Sequence, residues 1–349
     1  MIRISVFFLF LLSTIYCQAQ KEYPALQLLT SGTKTSLRGL SVVSDEVVWV
    51  SGSQGTVGRS TNGGKDWKWM VVKGFEKTEF RDIEAFDATT AVIMNSSDKD
   101  PAYILRTADG GETWKVVFEN KTPGMFLDAM EFWNEQAGIV IGDPVGGRFF
   151  VSRTFDGGRT WKDVPENNRP VADSGEACFA ASGTNVRALD NDEAVFVSGG
   201  RRSSVFIRDQ KITLPIIQGR ETTGANSIAV WDRYRNRGGD QLVIVGGDFS
   251  NSNSDSLNCV YSNDRGKTWK KPKTPPHGYR SSVEYLDKKV LVSCGINGVD
   301  YSIDNANNWK LISKEGFNVC RIAKIGKTVY LAGNNGKVGK LVYGKKKKR

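Results

Sequence analysis

Short apolar runs recur along the chain, separated by Gly-rich loops and turns, with few long helix-forming stretches. Within each stretch of 40 to 50 residues the order repeats: an apolar strand, a turn, a second strand such as Val47–Val50, a Gly-rich loop, a third strand, a polar box and a fourth strand. Units of that length built from four short strands predict the blades of a β-propeller. Inner strands are expected to start near Leu37, Phe80, Phe126, Ala177, Asn226, Tyr279 and Asn318, which gives seven blades.

The box is one eight-residue pattern that ends in Trp67, Trp114, Trp161, Trp269 and Trp309. Its clearest copies are Thr107-Ala-Asp-Gly-Gly-Glu-Thr-Trp114, Thr154-Phe-Asp-Gly-Gly-Arg-Thr-Trp161 and Ser262-Asn-Asp-Arg-Gly-Lys-Thr-Trp269. The copies around Asn62 and Asp304 are degenerate. The acidic position (Asp109, Asp156, Asp264, Asp304, or Asn62) can hold a tight turn by accepting from nearby N–H groups, and Gly supplies positive φ. The tryptophan then carries a large apolar area beneath its strand. Trp spacings of 47, 47, 108 and 40 residues leave one unit without a box, whose hairpin is read at Val205–Leu214.

The last unit lacks a fourth strand after Leu341–Tyr343, and Ala25–Thr30 has no partner of its own. Pairing that N-terminal strand into the C-terminal blade would close the ring and remove two open edges. The expectation is therefore an all-β, seven-bladed propeller over residues 20–343, preceded by a signal peptide (1–19) and followed by a basic, disordered tail (344–349). Arg3, the apolar run Val6–Ile15 and the small residues near Ala19 have the layout of a secretory signal, with an apolar run too short to span a bilayer. Thr14 and Tyr16 argue against lipid attachment at Cys17. The mature protein is expected in the periplasm or outside the cell, without a membrane anchor.

Composition adds 37 Gly and 9 Trp, in keeping with β structure. The formal charge of +10 falls to +4 once Arg3 and the five charges of Lys345 to Arg349 are set aside, and export argues against nucleic acid as a partner. After cleavage Cys178, Cys259, Cys294 and Cys320 remain, with a single His277 and no Cys-x-x-Cys spacing, so neither a metal nor a cofactor is expected. Cys294 and Cys320 fall on neighbouring blades and are the one pair placed to form a disulfide; buried free thiols are the expected state.

These boxes, together with Ser36-Leu-Arg-Gly-Leu40, Val48-Trp-Val-Ser-Gly-Ser-Gln-Gly55 and Gly142-Asp-Pro144, resemble the photosystem II stability and assembly factor family of seven-bladed propellers, within the wider sialidase-like Asp-box group. The resemblance covers nearly all of residues 25–343. It implies a platform that holds protein partners rather than a catalyst, although nothing in the sequence points to photosynthesis.

In such a ring the loops entering the inner strands and those joining strands two and three share one face, opposite the boxes. The first set offers Arg38, Arg81, Asp82, Asp128, Glu176, Asn226 and Arg280, with Arg321 deeper; the second offers Asp143, Arg201, Arg202, Asp248 and Asn297. Arg38, Arg81 and Arg280 follow Leu37, Phe80 and Tyr279 at what read as matching points, so three guanidinium groups are expected around one mouth. They would suit a carboxylate or phosphate on an acidic protein segment or an anionic glycan; alternatively they pair with Asp82, Asp128 and Glu176 as a structural ring. The rival reading is a glycoside hydrolase with carboxylates drawn from Asp128, Asp143, Glu176 and Asp248. No Tyr–Glu nucleophile pair of the sialidase type can be matched, and no dinucleotide, haem or iron–sulfur motif is present.

Overall fold

The computed structural model describes residues 23–30, 32–96, 101–190, 192–208, 210–231 and 239–344. The signal segment 1–19 with Cys17, and residues 345–349 of the basic tail, lie outside the described residues. Among the described residues the chain is β-structure with three short 3-10 turns, and no helix is long and apolar enough to cross a membrane.

Seven antiparallel sheets follow one another around an axis. Blade one is Leu37–Val42, Val48–Gly52, Thr56–Ser60 and Lys68–Val71, paired in that order. Its inner strand is buried along its length while its outer strand is half-exposed, because only the edge of each blade meets water. Blades two, three and six repeat the pattern from Phe80–Ala85, Leu127–Phe132 and Ser282–Asp287. In blade seven, Val319–Ile322, Val329–Ala332 and Val338–Val342 are completed by Ala25–Thr30, with Ala25 opposite Val342 and Leu26 opposite Leu341. The first and last strands thus hydrogen-bond to each other and neither end of the ring is left as an open edge.

The apolar core lies between blades rather than at the axis. Leu40 and Val48 of blade one pack with Val319 and Tyr330 of blade seven, and Ile83 and Ala91 of blade two with Trp49 and Val57 of blade one. Each box works as a turn staple. Thr107 Oγ1 donates to Asp109 (2.8 Å) and accepts from Gly111 N (3.0 Å), while Asp109 accepts from Thr113 N (3.0 Å) and the Thr113 hydroxyl. The same bonds recur around Asp156 and Asp264, and in reduced form at Asn62 and Asp304. Bonds from Thr113 and Thr268 hold the carboxyls of Asp109 and Asp264 down to about 2. The box tryptophans are less enclosed than their size suggests. Trp309 alone is fully buried, whereas Trp67, Trp114, Trp161 and Trp269 are half-buried at the rim, where a neighbouring blade covers only part of the ring.

Blade four departs from the sequence-based expectation. Its inner strand is Val186–Ala188, not a strand beginning at Ala177, and its hairpin is Ser204–Ile207 with Gln210–Thr213. Glu176–Ala177 instead pairs with Gly199–Gly200, which bridges to Thr223–Val230 of blade five. Blade five keeps three strands and a single bridge, Tyr261 to Lys270, in place of a fourth.

The residues released from blade four run across the axis as a plug. Ser182 Oγ donates to Ser281 O of blade six (2.7 Å), Thr184 Oγ1 to Ser227 Oγ of blade five (2.6 Å), and Gly183 O accepts from Arg321 of blade seven (2.9 Å). Gly183 has φ +63°, and a Cβ there would stand 2.2 Å from the Asp82 carboxyl carbon, so only glycine fits. Asp82 lies sealed beneath the plug, accepting from Met130 N (2.7 Å) and Ile83 N (2.9 Å), and burial pushes its carboxyl up to about 7. The four cysteines among the described residues are buried and free; Cys294 and Cys320 are neighbours, and burial followed by contact with Cys320 raises the Cys294 thiol.

Two outcomes follow from this packing. Trp309→Ala should cost about 3–5 kcal/mol in chemical denaturation and Trp67→Ala clearly less, because full burial adds a cavity to the lost transfer energy; equal costs would contradict the burial difference. For Asp82 the folded state keeps a proton that the unfolded chain releases, so its contribution to stability falls as pH rises from about 4 to about 7 and is lost above. Asp82→Asn cannot titrate, so between pH 5 and pH 8 wild type should lose on the order of 2–3 kcal/mol relative to the variant. Parallel stability–pH curves would show that Asp82 ionises normally.

Candidate functional site

On the face opposite the boxes, the inner strands of blades one and two each bulge by one residue, and the bulged residues are Arg38 and Arg81. A bulge turns a side chain out of the ladder and aims it at the axis. Both guanidinium groups reach the plug: Arg38 Nη1 stands 3.4 Å from Ala181 O and Arg81 Nη1 3.5 Å from Ala180 O. Arg81 also donates through Nε to Glu79 (2.8 Å). Among the described residues Arg38 has no carboxylate paired with it, and its Nε is buried without a hydrogen-bond acceptor. Burial and then the charge of Arg81 hold its pKa below the usual arginine value. Two like charges therefore share one mouth with Glu79, while Asp128, near enough to Arg81 to feel its charge, is pushed toward its neutral form by burial.

Blade three places Asp128 at the equivalent bulge. It is fully buried next to Asp143, whose Oδ1 accepts from Cys178 N (2.8 Å). Burial pushes Asp143 up to about 6; Asp128 rises well above the ordinary range, through burial and then the charge of Asp143. Asn226 takes the bulge in blade five and accepts from the Tyr279 hydroxyl (2.7 Å).

Arg280 does not reach the mouth. Gly52, Gly142 and Gly295 sit at one level of their second strands, where an added Cβ would press on the carbonyls of Ser36, Phe126 and Tyr279 at 2.3, 2.3 and 2.2 Å. Tyr279 thus corresponds to Ser36, and Arg280 to Leu37 rather than to Arg38. A slip of one residue exchanges the two faces of a strand. Arg280 accordingly points into blade six with no exposure, paired with Asp300 and donating to Asn297 (2.6 Å) and His277 O (2.9 Å). Ser281 occupies the axial position.

The remaining predicted residues divide by role. Arg201 and Arg202 are exposed in a loop on the mouth face, Arg201 lying 3.5 Å from Glu221. Glu176 is buried against Lys211 (2.7 Å), the Ser198 hydroxyl and Asp173 N, which commits it to holding the start of the plug. Asp248 caps a 3-10 turn by accepting from Ser250 N (2.9 Å); burial pushes its carboxyl up, but bonds from Ser250 and Thr222 outweigh this and hold it low. Neither is placed as an acid or base facing an open cleft. Among the described residues no group of three or more His, Cys, Asp or Glu converges to hold a metal.

Two features escaped the sequence reading. Beside the arginines an aromatic ledge forms from Phe179, Phe249 and Tyr279, with ring centroids 5.8 and 6.3 Å apart and Phe249 44% exposed. Its members are far apart in sequence and carry no motif. Beyond the plug, at the box end of the channel, six inner strands bring Ser41, Glu84, Glu131, Arg187, Glu284 and Arg321 together across the axis. A cavity of about 400 Å³ opens there, walled also by Trp231, Tyr285 and Lys324. A signal for it was present: Glu84, Glu131 and Glu284 each stand between two apolar residues of an inner strand.

In sequence, the BNR/Asp-box repeat family matches at residues 260–271, and no curated protein matches the chain. Solved structures similar to it include YCF48 bound to D1 peptide (TM-score 0.64, 14% identity, 92% of this chain and 96% of that one) and YCF48 from Cyanidioschyzon merolae (0.63, 15%, 90% and 98%). The Pan2 WD40 domain of Neurospora crassa is also similar (TM-score 0.58, 11% identity, 88% and 89% covered). By its repeat and its fold, the chain is a β-propeller with Asp-box turns, similar in fold to these structures.

Proposed function

We propose that this protein is an exported, non-catalytic binding propeller that holds an acidic segment of a partner protein against the mouth bearing Arg38 and Arg81. The observation that carries the reading is the imbalance of charge there: two adjacent guanidinium groups share Glu79, and Arg38 Nε is buried without an acceptor. A ligand carboxylate would supply the missing acceptor and relieve the repulsion, and charge-assisted bonds of this kind are the strong ones. The ledge of Phe179, Phe249 and Tyr279 offers an apolar side chain somewhere to lie. Arg201 and Arg202, exposed on the same face, extend the positive field that an acidic segment or an anionic glycan would meet.

The likeness to YCF48 bound to D1 peptide supports a peptide rather than a glycan, since a propeller of this fold there holds a protein segment. Export rests on the signal-like residues 1–19. Hydrolysis is less well supported, because Glu176 and Asp248 are spent on Lys211 and Ser250, and Asp128 is sealed from solvent.

Binding of fluorescent peptides rich in Asp and Glu to the mature protein, followed by anisotropy, tests this. Arg38→Ala with Arg81→Ala should weaken binding by roughly tenfold or more, and rising salt should weaken wild type similarly. Unchanged affinity in a double variant that melts like wild type would remove the proposal. Release of a fluorogenic aglycone that vanishes in Asp143→Asn or Glu176→Gln would establish a glycosidase in its place.

A further inference from the structure

The cavity at the box end of the channel is cut off from the mouth by the plug at Ser182–Thr184, so it is a separate compartment with its own chemistry. Among the described residues its charges pair with one another. Arg187 lies 3.5 Å from Glu131 and 3.2 Å from Glu284, Arg321 Nη1 lies 3.7 Å from both carboxylates, and Lys324 pairs with Glu84. Three carboxylates of the described residues therefore face three cations. An anion entering would have to displace a carboxylate, and a cation would have to displace an arginine, from side chains no more than 13% exposed at Glu131, Glu284, Arg187 and Arg321. Breaking such enclosed pairs is costly, so the chamber discriminates against charged ligands of either sign.

What it offers instead is a mixture of donors and acceptors above an apolar wall. The 3.7 Å gaps between Arg321 Nη1 and the two carboxylates exceed hydrogen-bond length. A hydroxyl group beside such a pair can bridge it, because it can accept from the guanidinium and donate to a carboxylate at once. The lining also includes Val230, Ile322 and Trp231, the last only partly buried and braced by the Tyr285 ring at 5.8 Å. An aromatic face beside convergent polar groups, in a cavity of about 400 Å³, is the arrangement of a small-ligand pocket.

We infer that this chamber binds a neutral, hydroxyl-rich small molecule, one or two sugar rings in size, laid against Trp231 with a hydroxyl bridging Arg321 and Glu284. The site stands independently of peptide binding at the mouth, since it draws on none of the same residues.

Titration calorimetry of the mature protein with glucose, galactose, mannose, N-acetylglucosamine, myo-inositol and maltose tests the inference, with glucuronate and glucosamine as charged counterparts. At least one neutral probe should bind, and more tightly than either charged one. Its affinity should fall roughly tenfold in Trp231→Ala and in Arg321→Gln, and stay unchanged in Arg38→Ala. Trp231 is partly exposed, so that variant keeps the test available should Arg321→Gln fail to fold. The inference is overturned if no neutral probe binds, if the charged sugars bind as well as the neutral ones, or if Trp231→Ala leaves affinity intact.

Discussion

Seven inner strands that meet at one axis must decide what to do with the side chains that point into it. Apolar residues can turn between blades, but alternation along each strand forces every second residue into the channel, where its charge has to be met by another strand. The buried ion pairs of Arg187 and Arg321 with Glu131 and Glu284 are that compensation, and they join neighbouring blades (three with four, six with seven) as well as distant ones (four with six, three with seven). Removing one partner would leave a buried charge alone, which costs more than the pair itself contributes. Closure of the ring through Ala25–Thr30 fixes the axis on which these partners meet.

The same rule yields opposite results at the two ends. At the box end, the carboxylates and cations of the described residues pair with one another. At the mouth the pairing is incomplete: Arg38 and Arg81 crowd together, their acceptors are Glu79 and the plug's carbonyls, and the nearby carboxylates Asp128 and Asp143 are pushed toward their neutral forms by burial. The plug is what keeps the ends distinct. It fills the channel with backbone bonded to blades five, six and seven, and it seals Asp82 below the mouth. A scaffold stapled at its box turns holds the two guanidinium groups in place at the mouth.

The ring was readable from sequence because its signals are local. A box needs only eight consecutive residues, and the boxless hairpin at Val205–Leu214 still shows its strand–turn–strand pattern. Arg38 and Arg81 were readable because each follows directly on the apolar start of a strand. Arg280 was misplaced by one residue: its true register is set by Gly295 packing on the Tyr279 carbonyl, and its partner Asp300 lies on another strand. Glu176 and the plug were hidden for a related reason, since the strand that Ala177 suggested was diverted by pairing with Gly199–Gly200. The aromatic ledge and the box-end chamber are assembled from different blades and exist only once the axis does.

On the proposed reading, the crowded guanidinium groups of Arg38 and Arg81 at the mouth, on the face away from the boxes, receive the partner. Hydrogen–deuterium exchange with a saturating acidic peptide reads this directly. The account predicts new protection confined to the segments around Arg38, Arg81 and the plug at 178–184, with the box turns unchanged. Protection centred on the box face, or spread over the outer strands with the mouth unaffected, would contradict it.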